Sequence, residues 1–190
     1  MLNKKRNSLS SDGWLLEPFI DHSLSEKFDC GDEDLNEFFR KDLEPYEKEL
    51  LTKTYMLFPE GAPGGQLVAL ISFCNDSIRL RDIEESLDLP DAKKHPYLPA
   101  VKIARIGVRT DLCGKGIGTH LLNMTKILFL KENRTGCRIL TVDAYNKERV
   151  LNFYKKNHFD FVTPKDNAKN TRTMFYDLMR TIITPPASTT

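Results

Sequence analysis

The spacing of apolar residues changes period several times along the chain, and each change marks an element. Residues 14–20 mix large apolar and β-forming side chains and predict a first strand, placed at a sheet edge by Pro18, which has no N–H for a ladder. From Asp32 or Asp34 as N-cap, Leu35, Phe38, Phe39 and Leu43 recur at helical spacing, and Pro45 predicts a kink or restart. Residues 54–58 and 66–74 predict two strands joined by the proline- and glycine-rich turn 59–65. Residues 77–80 extend or rejoin the sheet, 81–89 suit a short helix, and 93–99, with Pro96 and Pro99, read as irregular.

The clearest stretch follows. Val101, Ile103, Ile106 and Val108 are β-formers, and Ile117, Leu121, Leu122, Thr125, Leu128 and Phe129 recur at three- and four-residue steps. Strand and helix are therefore joined by a turn carrying Gly114, Gly116 and Gly118. Beyond it come a strand at 138–142, a helix at 147–157 with Val150, Leu151 and Tyr154 on one face, a strand at 159–163, a polar turn at 166–171 and a strand at 173–178.

A strand, a glycine-rich turn and a helix start aim unpaired backbone N–H groups at one place, which suits a phosphate. Glycine lets the backbone approach closely, and Lys115 adds a charge. The same glycines also suit a merely tight connection, and the residues alone leave both readings open. Two phosphate loops are excluded: Thr119 breaks the dinucleotide fingerprint, and Gly116 after Lys115 breaks the nucleotide-triphosphate loop.

Composition narrows the class. The chain has 190 residues, is 40% hydrophobic and 29% charged, and carries a net charge of +1, so no global charge points to nucleic acid. The four cysteines form no Cys-x-x-Cys pair and no zinc spacing, so we expect no metal and a reducing, cytoplasmic setting. No apolar run follows Lys4, Lys5 and Arg6, and none is long enough to span a bilayer, so neither a signal peptide nor membrane association is expected. The expected organisation is a flexible start (1–12), one domain (13–180) and a flexible tail (181–190).

Cys113-Gly114-Lys115-Gly116-Ile117-Gly118, between strand and long helix, resembles the Gln/Arg-x-x-Gly-x-Gly/Ala motif of the Gcn5-related N-acetyltransferases, with Cys113 in place of Gln or Arg. The later stretch NKERVLNFYKKNHF (146–159) resembles the family's segment ending Phe-Tyr-x-x-x-Gly-Phe, with His158 in place of glycine. FDCGDEDLNEFF (28–39) resembles the opening of a subgroup that includes bacterial toxins acetylating aminoacyl-tRNA. The resemblance covers most of the chain. It implies an α/β (α+β) fold with a mixed, mostly antiparallel sheet of six to seven strands flanked by helices.

The resemblance implies a transferase that moves the acetyl group of acetyl-CoA, its cosubstrate, directly to a primary amine. Cys113, Gly114, Lys115, Gly116, Ile117, Gly118 and Thr119 would hold the pyrophosphate, and the backbone of Ile106, Gly107 and Val108 the thioester oxygen and pantetheine. Tyr154 would be the general acid for the departing thiolate; read without the family, it is a packed helix tyrosine. Asn146 is either a cofactor ligand or a helix cap. The acceptor is an aminoacyl-tRNA, a small-molecule amine, or a protein N-terminus or lysine. A homodimer is a candidate assembly. A non-catalytic acyl-CoA-binding or protein-interaction module is the alternative of a different class. Lys102, Arg105, Arg109, Lys115, Lys126, Lys131, Arg134 and Arg138, opposed only by Asp111 and Glu132, would surround the cofactor phosphates or steer RNA.

Overall fold

The computed structural model describes residues 8–61, 66–90, 95–131, 133 and 136–183. Eight strands follow the order β1-β2-β3-β4-β5-β6-β8-β7, one more than the six to seven expected. The chain divides into two compact units, residues 1–74 with 104–125 and residues 75–103 with 126–190. Three elements run from one unit into the other: β4 (Ala69–Arg79), β5 (Tyr97–Val108) and α3 (Ile117–Lys131).

In the first unit, β1 (Leu9–Ser11) and β2 (Trp14–Pro18) form a two-residue hairpin around Asp12 and Gly13, both at positive φ (50° and 77°). That is the geometry an Asp-Gly turn favours. Leu9–Ser11 falls in the segment expected to be a flexible start; residues 1–7 of that segment lie outside the described residues. The extra strand also moves β2 off the edge. It pairs with β1 on one side and β3 (Lys53–Pro59) on the other, and Pro18 is simply its last residue. β3 pairs in turn with the start of β4.

Asp32 caps α1 (Glu33–Glu37), its carboxylate accepting the Leu35 N–H at 3.2 Å, with Glu33 and Asp34 at the positive helix end. A π-helical turn (Phe38–Asp42) leads straight into α2 (Leu43–Lys48), where Pro45 has no N–H to return to the preceding turn. The expected kink is thus a widened turn rather than a break. Phe28, Phe38, Phe39 and Leu43 pack with Met56, Phe58, Leu67 and Leu70 into the core of this unit.

In the second unit, β5 runs parallel to β6 (Ile139–Tyr145) over Ala100–Ile103, and β6 pairs antiparallel with β8 (Thr171–Asp177). α4 (Glu148–Lys156) follows β6, and the two-residue β7 (Asp160–Phe161) pairs with β8. Ile78, Ile83, Ala100, Ile139 and Phe175 form its core. Arg138 donates twice to the buried Asp177, at 2.9 and 2.8 Å. Buried Asp166 accepts from Arg172 Nε and from the Thr173 N–H.

Residues 77–79 continue β4, as expected of a segment that extends the sheet. Other expectations are corrected. The short helix expected at 81–89 is two 3-10 turns, Leu80–Asp82 and Glu84–Ser86. Tyr97, Leu98 and Pro99 lie in β5 rather than in an irregular segment. Pro99 precedes the β6 register, which starts at Ala100, so its missing N–H breaks no bond there. Residues 91–94 lie outside the described residues. α5 (Met179–Ile183) runs into the first three residues, 181–183, of the expected tail, and 184–190 lie outside the described residues.

Candidate functional site

The glycine turn belongs to the first unit. After β5, Arg109 donates its N–H to Val68 O and its Nη1 to Leu67 O. A 3-10 turn (Thr110–Leu112) then closes through Cys113 N–H to Thr110 O at 3.2 Å. The next donors are different. Gly114, Lys115 and Gly116 use no backbone N–H on a protein acceptor among the described residues, and at the start of α3 the His120 N–H donates to Gly116 O at 3.0 Å. The N–H groups of Ile117 and Gly118 are accordingly also left over.

Gly114 and Gly116 both sit at φ +80°, and a Cβ on either would meet nothing within 4 Å. Positive φ favours glycine, and the open space above the turn leaves the donors accessible. Ile117 is buried, so it offers only its backbone, whereas Cys113, Lys115 and Thr119 are exposed. The Cys113 thiol lies 3.6 Å from Val108 O and 3.7 Å from Arg109 O. Ile106, Gly107 and Val108 form the end of β5. Gly107 has a packing reason to be glycine: a Cβ would come within 3.0–3.1 Å of Phe39, Cys30 and Phe28.

Asn146 and Tyr154 belong to the second unit. Asn146 is not the cap of α4; that position falls to Lys147, which makes no side-chain cap bond. Instead the Asn146 amide donates to Asn167 O (2.8 Å) and Lys169 O (2.9 Å), tying the end of β6 to the turn before β8. Tyr154 is 3% exposed, its ring edge-on to Phe153 at 5.1 Å and Phe159 at 5.4 Å. Burial pushes its phenol well above the usual tyrosine range, so it stays protonated through physiological pH.

The expected basic surround is largely neutralised locally. Arg109 forms a two-pronged pair with Asp111, which holds that carboxyl below its ordinary range. Lys102 pairs with Asp143 at 2.9 Å and with Asp76 at 3.6 Å, and Arg138 with Asp177. Arg105 lies over the Phe38 ring at 5.0 Å. Lys126 is 4% exposed and is not a surface charge at all. Lys115 and Lys131 remain exposed, while Arg134 and Glu132 lie outside the described residues.

Sequence reasoning passed over His120, two residues beyond the turn. Its ring lies 6.1 Å from that of Trp14, and its Nε2 is buried without a partner among the described residues. A polar residue in the first turn of an amphipathic helix gives little signal of that. Among the described residues, no group of His, Cys, Asp and Glu could hold a metal ion, and no helix is long and apolar enough to cross a membrane.

The chain matches no family model and no curated protein sequence. Solved structures do match. A bacterial toxin superposes with a TM-score of 0.74 at 18% identity, over 90% of this chain and 93% of its own. A tyrosine-to-phenylalanine variant of the toxin AtaT, bound to the C-terminus of the antitoxin AtaR and to acetyl-CoA, gives 0.67 at 20% identity, covering 90% and 98%. AtaT complexed with acetyl-methionyl-tRNAfMet gives 0.70 at 20% identity, with the same coverage. With its mostly antiparallel eight-stranded sheet flanked by helices, the chain has the fold of the Gcn5-related N-acetyltransferases.

Proposed function

We propose that this chain is an N-acetyltransferase that moves the acetyl group of acetyl-CoA directly to a primary amine, the α-amine of an aminoacyl-tRNA being the acceptor. The observation that carries the reading is the row of unused N–H groups from Gly114 to Gly118 at the start of α3, on a fold shared with an acetyl-CoA-bound toxin. That row, with the positive end of α3 behind it, suits a pyrophosphate. Cys113 and Thr119 flank it, and Lys115 adds a point charge. The backbone of Ile106, Gly107 and Val108 would hold the thioester carbonyl and pantetheine amides.

In the transfer, the neutral amine attacks the thioester carbon. The C–N bond forms, the C–S bond breaks, and the thiolate takes a proton from the Tyr154 hydroxyl while the amine loses one to solvent. Burial keeps the proton on the Tyr154 oxygen at physiological pH but also makes the phenol a weaker acid, so the role is supported by the Phe153-Tyr154 segment and not by burial. Asn146, whose amide ties the end of β6 to the turn before β8, would be a polar ligand of the cofactor. The tRNA acceptor is supported by the tRNA-bound neighbour and by the stretch at 28–39, and little by local charge, since Lys102, Arg109 and Arg138 already have acidic partners.

Acetyl incorporation from labelled acetyl-CoA into charged tRNAs, peptides and polyamines tests the reading. Transfer to aminoacyl-tRNA, with a rate that falls steeply with salt, is expected. Transfer to peptides or polyamines alone would replace the acceptor. Cofactor binding with no transfer to any amine would replace the enzyme by a binding module.

A further inference from the structure

The polar groups of the stretch at 28–39 converge on the start of the glycine turn. Asp29 O accepts both the N–H and the Oγ1–H of Thr110, each at 2.9 Å. The Asp29 carboxylate in turn accepts the Gly31 N–H at 2.9 Å and the Asn36 amide at 2.8 Å. Asn36 closes the ring, its Oδ1 accepting the Cys30 N–H at 2.9 Å and the Cys30 thiol at 3.2 Å. Asn36 is only 3% exposed, and a buried amide with its polar atoms so used is rigid. Arg40 adds a bond from Nε to Phe28 O at 2.9 Å.

The same segment presses against β5 from the side. Phe28, Cys30 and Phe39 stand where a Cβ on Gly107 would be. The backbone from Gly107 to Thr110 is therefore held by packing at one end and by two hydrogen bonds at the other. Thr110 O then accepts from Cys113, the residue immediately before the first unused N–H of the turn.

We propose that Thr110 and Asn36 are positioning residues for the glycine turn: Asp29–Asn36 forms a bracket that fixes where the Gly114–Gly118 donors point, and so sets acetyl-CoA affinity. The inference rests on the reading of the turn as the cofactor site. Donors contribute most when held in place before the ligand arrives. Neither residue touches the acetyl group, so the effect belongs to binding and not to the chemical step.

Thr110→Val removes the Oγ1 donor at an exposed position with nearly unchanged volume, and Thr110→Ser restores it. For Thr110→Val we expect the acetyl-CoA Kd and KM to rise about tenfold, roughly the worth of one hydrogen bond. Its kcat at saturating acetyl-CoA should be unchanged, and Thr110→Ser should match the wild type. The amide chemical shifts of Gly114 and Gly116 should move in ligand-free Thr110→Val and return in Thr110→Ser. A Thr110→Val protein with wild-type Kd, or one that loses kcat at unchanged Kd, overturns the proposal. Wild-type protein that binds no acetyl-CoA overturns the cofactor reading instead; unmoved Gly114 and Gly116 shifts would then overturn the bracket by themselves.

Discussion

The Nζ of Lys126 lies 3.1 Å from the carbonyl oxygen of Asn157, the residue that ends α4, and 4.1 Å from the centre of the Tyr176 ring. A cation at a helix C-terminus and over an aromatic face gains on both counts, but here the surroundings are dry. Burial wins, lowering the ammonium from 10.5 to about 8. The unfolded chain therefore binds more protons than the folded one between pH 8 and 10.5, and stability rises with pH across that window. Lys126→Met should remove this slope and raise stability at pH 7. Urea unfolding of both proteins at pH 7 and pH 10 checks it; parallel pH dependences would show that the ammonium is well solvated.

Tyr154 gives the sharpest kinetic expectation. Tyr154→Phe keeps the ring between Phe153 and Phe159 and removes only the hydroxyl. Circular dichroism and acetyl-CoA affinity should hardly change. The single-turnover rate of acetyl transfer should fall by about 10²–10⁴-fold, the usual range for a general acid. A chemical step at the wild-type rate would return Tyr154 to the core.

Gly116 separates strain from occlusion. At φ +80° an L-residue costs about 1–2 kcal/mol, and an added methyl enters open space rather than protein. Gly116→Ala should therefore lower the melting temperature by a few degrees and weaken acetyl-CoA binding as well. Thermal melts with and without the cofactor distinguish the two: a ligand-induced shift as large as in wild type would place the pyrophosphate elsewhere.

Gly107 should behave in the opposite way. Its backbone is ordinary strand, but a methyl would strike Phe39, Cys30 and Phe28 at 3.0–3.1 Å. Gly107→Ala should cost about 1–3 kcal/mol through overpacking. Phe39→Leu in the same chain should recover part of that loss, and equal losses in the single and double variants would deny the contact.

The strand, glycine turn and helix from β5 to α3 were legible because local residue types specify each of them. So were β6 and α4. The β1–β2 hairpin was written locally only in its Asp12-Gly13 turn, and was passed over because just three residues, Leu9, Ser10 and Ser11, precede it in the strand and none is a β-former. The neutralised basic stretch was not legible. Lys102 meets Asp143 and Arg138 meets Asp177 across separations of 41 and 39 residues, which depend on strand register. Asn146 misled for the same reason: its partners lie 21 and 23 residues on, although its position before α4 suggests a cap.

The shortness of β1 has a consequence of its own. The outermost strands of the order are β1, with three residues, and β7, with two. An unpaired edge is a template on which another chain can add a strand, and its danger grows with its length. β1 covers Trp14, Leu15 and Leu16 of β2 with a ribbon turned by Asp12-Gly13, and among the described residues the margin it presents is shorter than the segments of about six or seven residues that nucleate fibre-like stacking. Removing residues 8–12 would uncover β2, and insolubility would be the first symptom, ahead of any loss of the site.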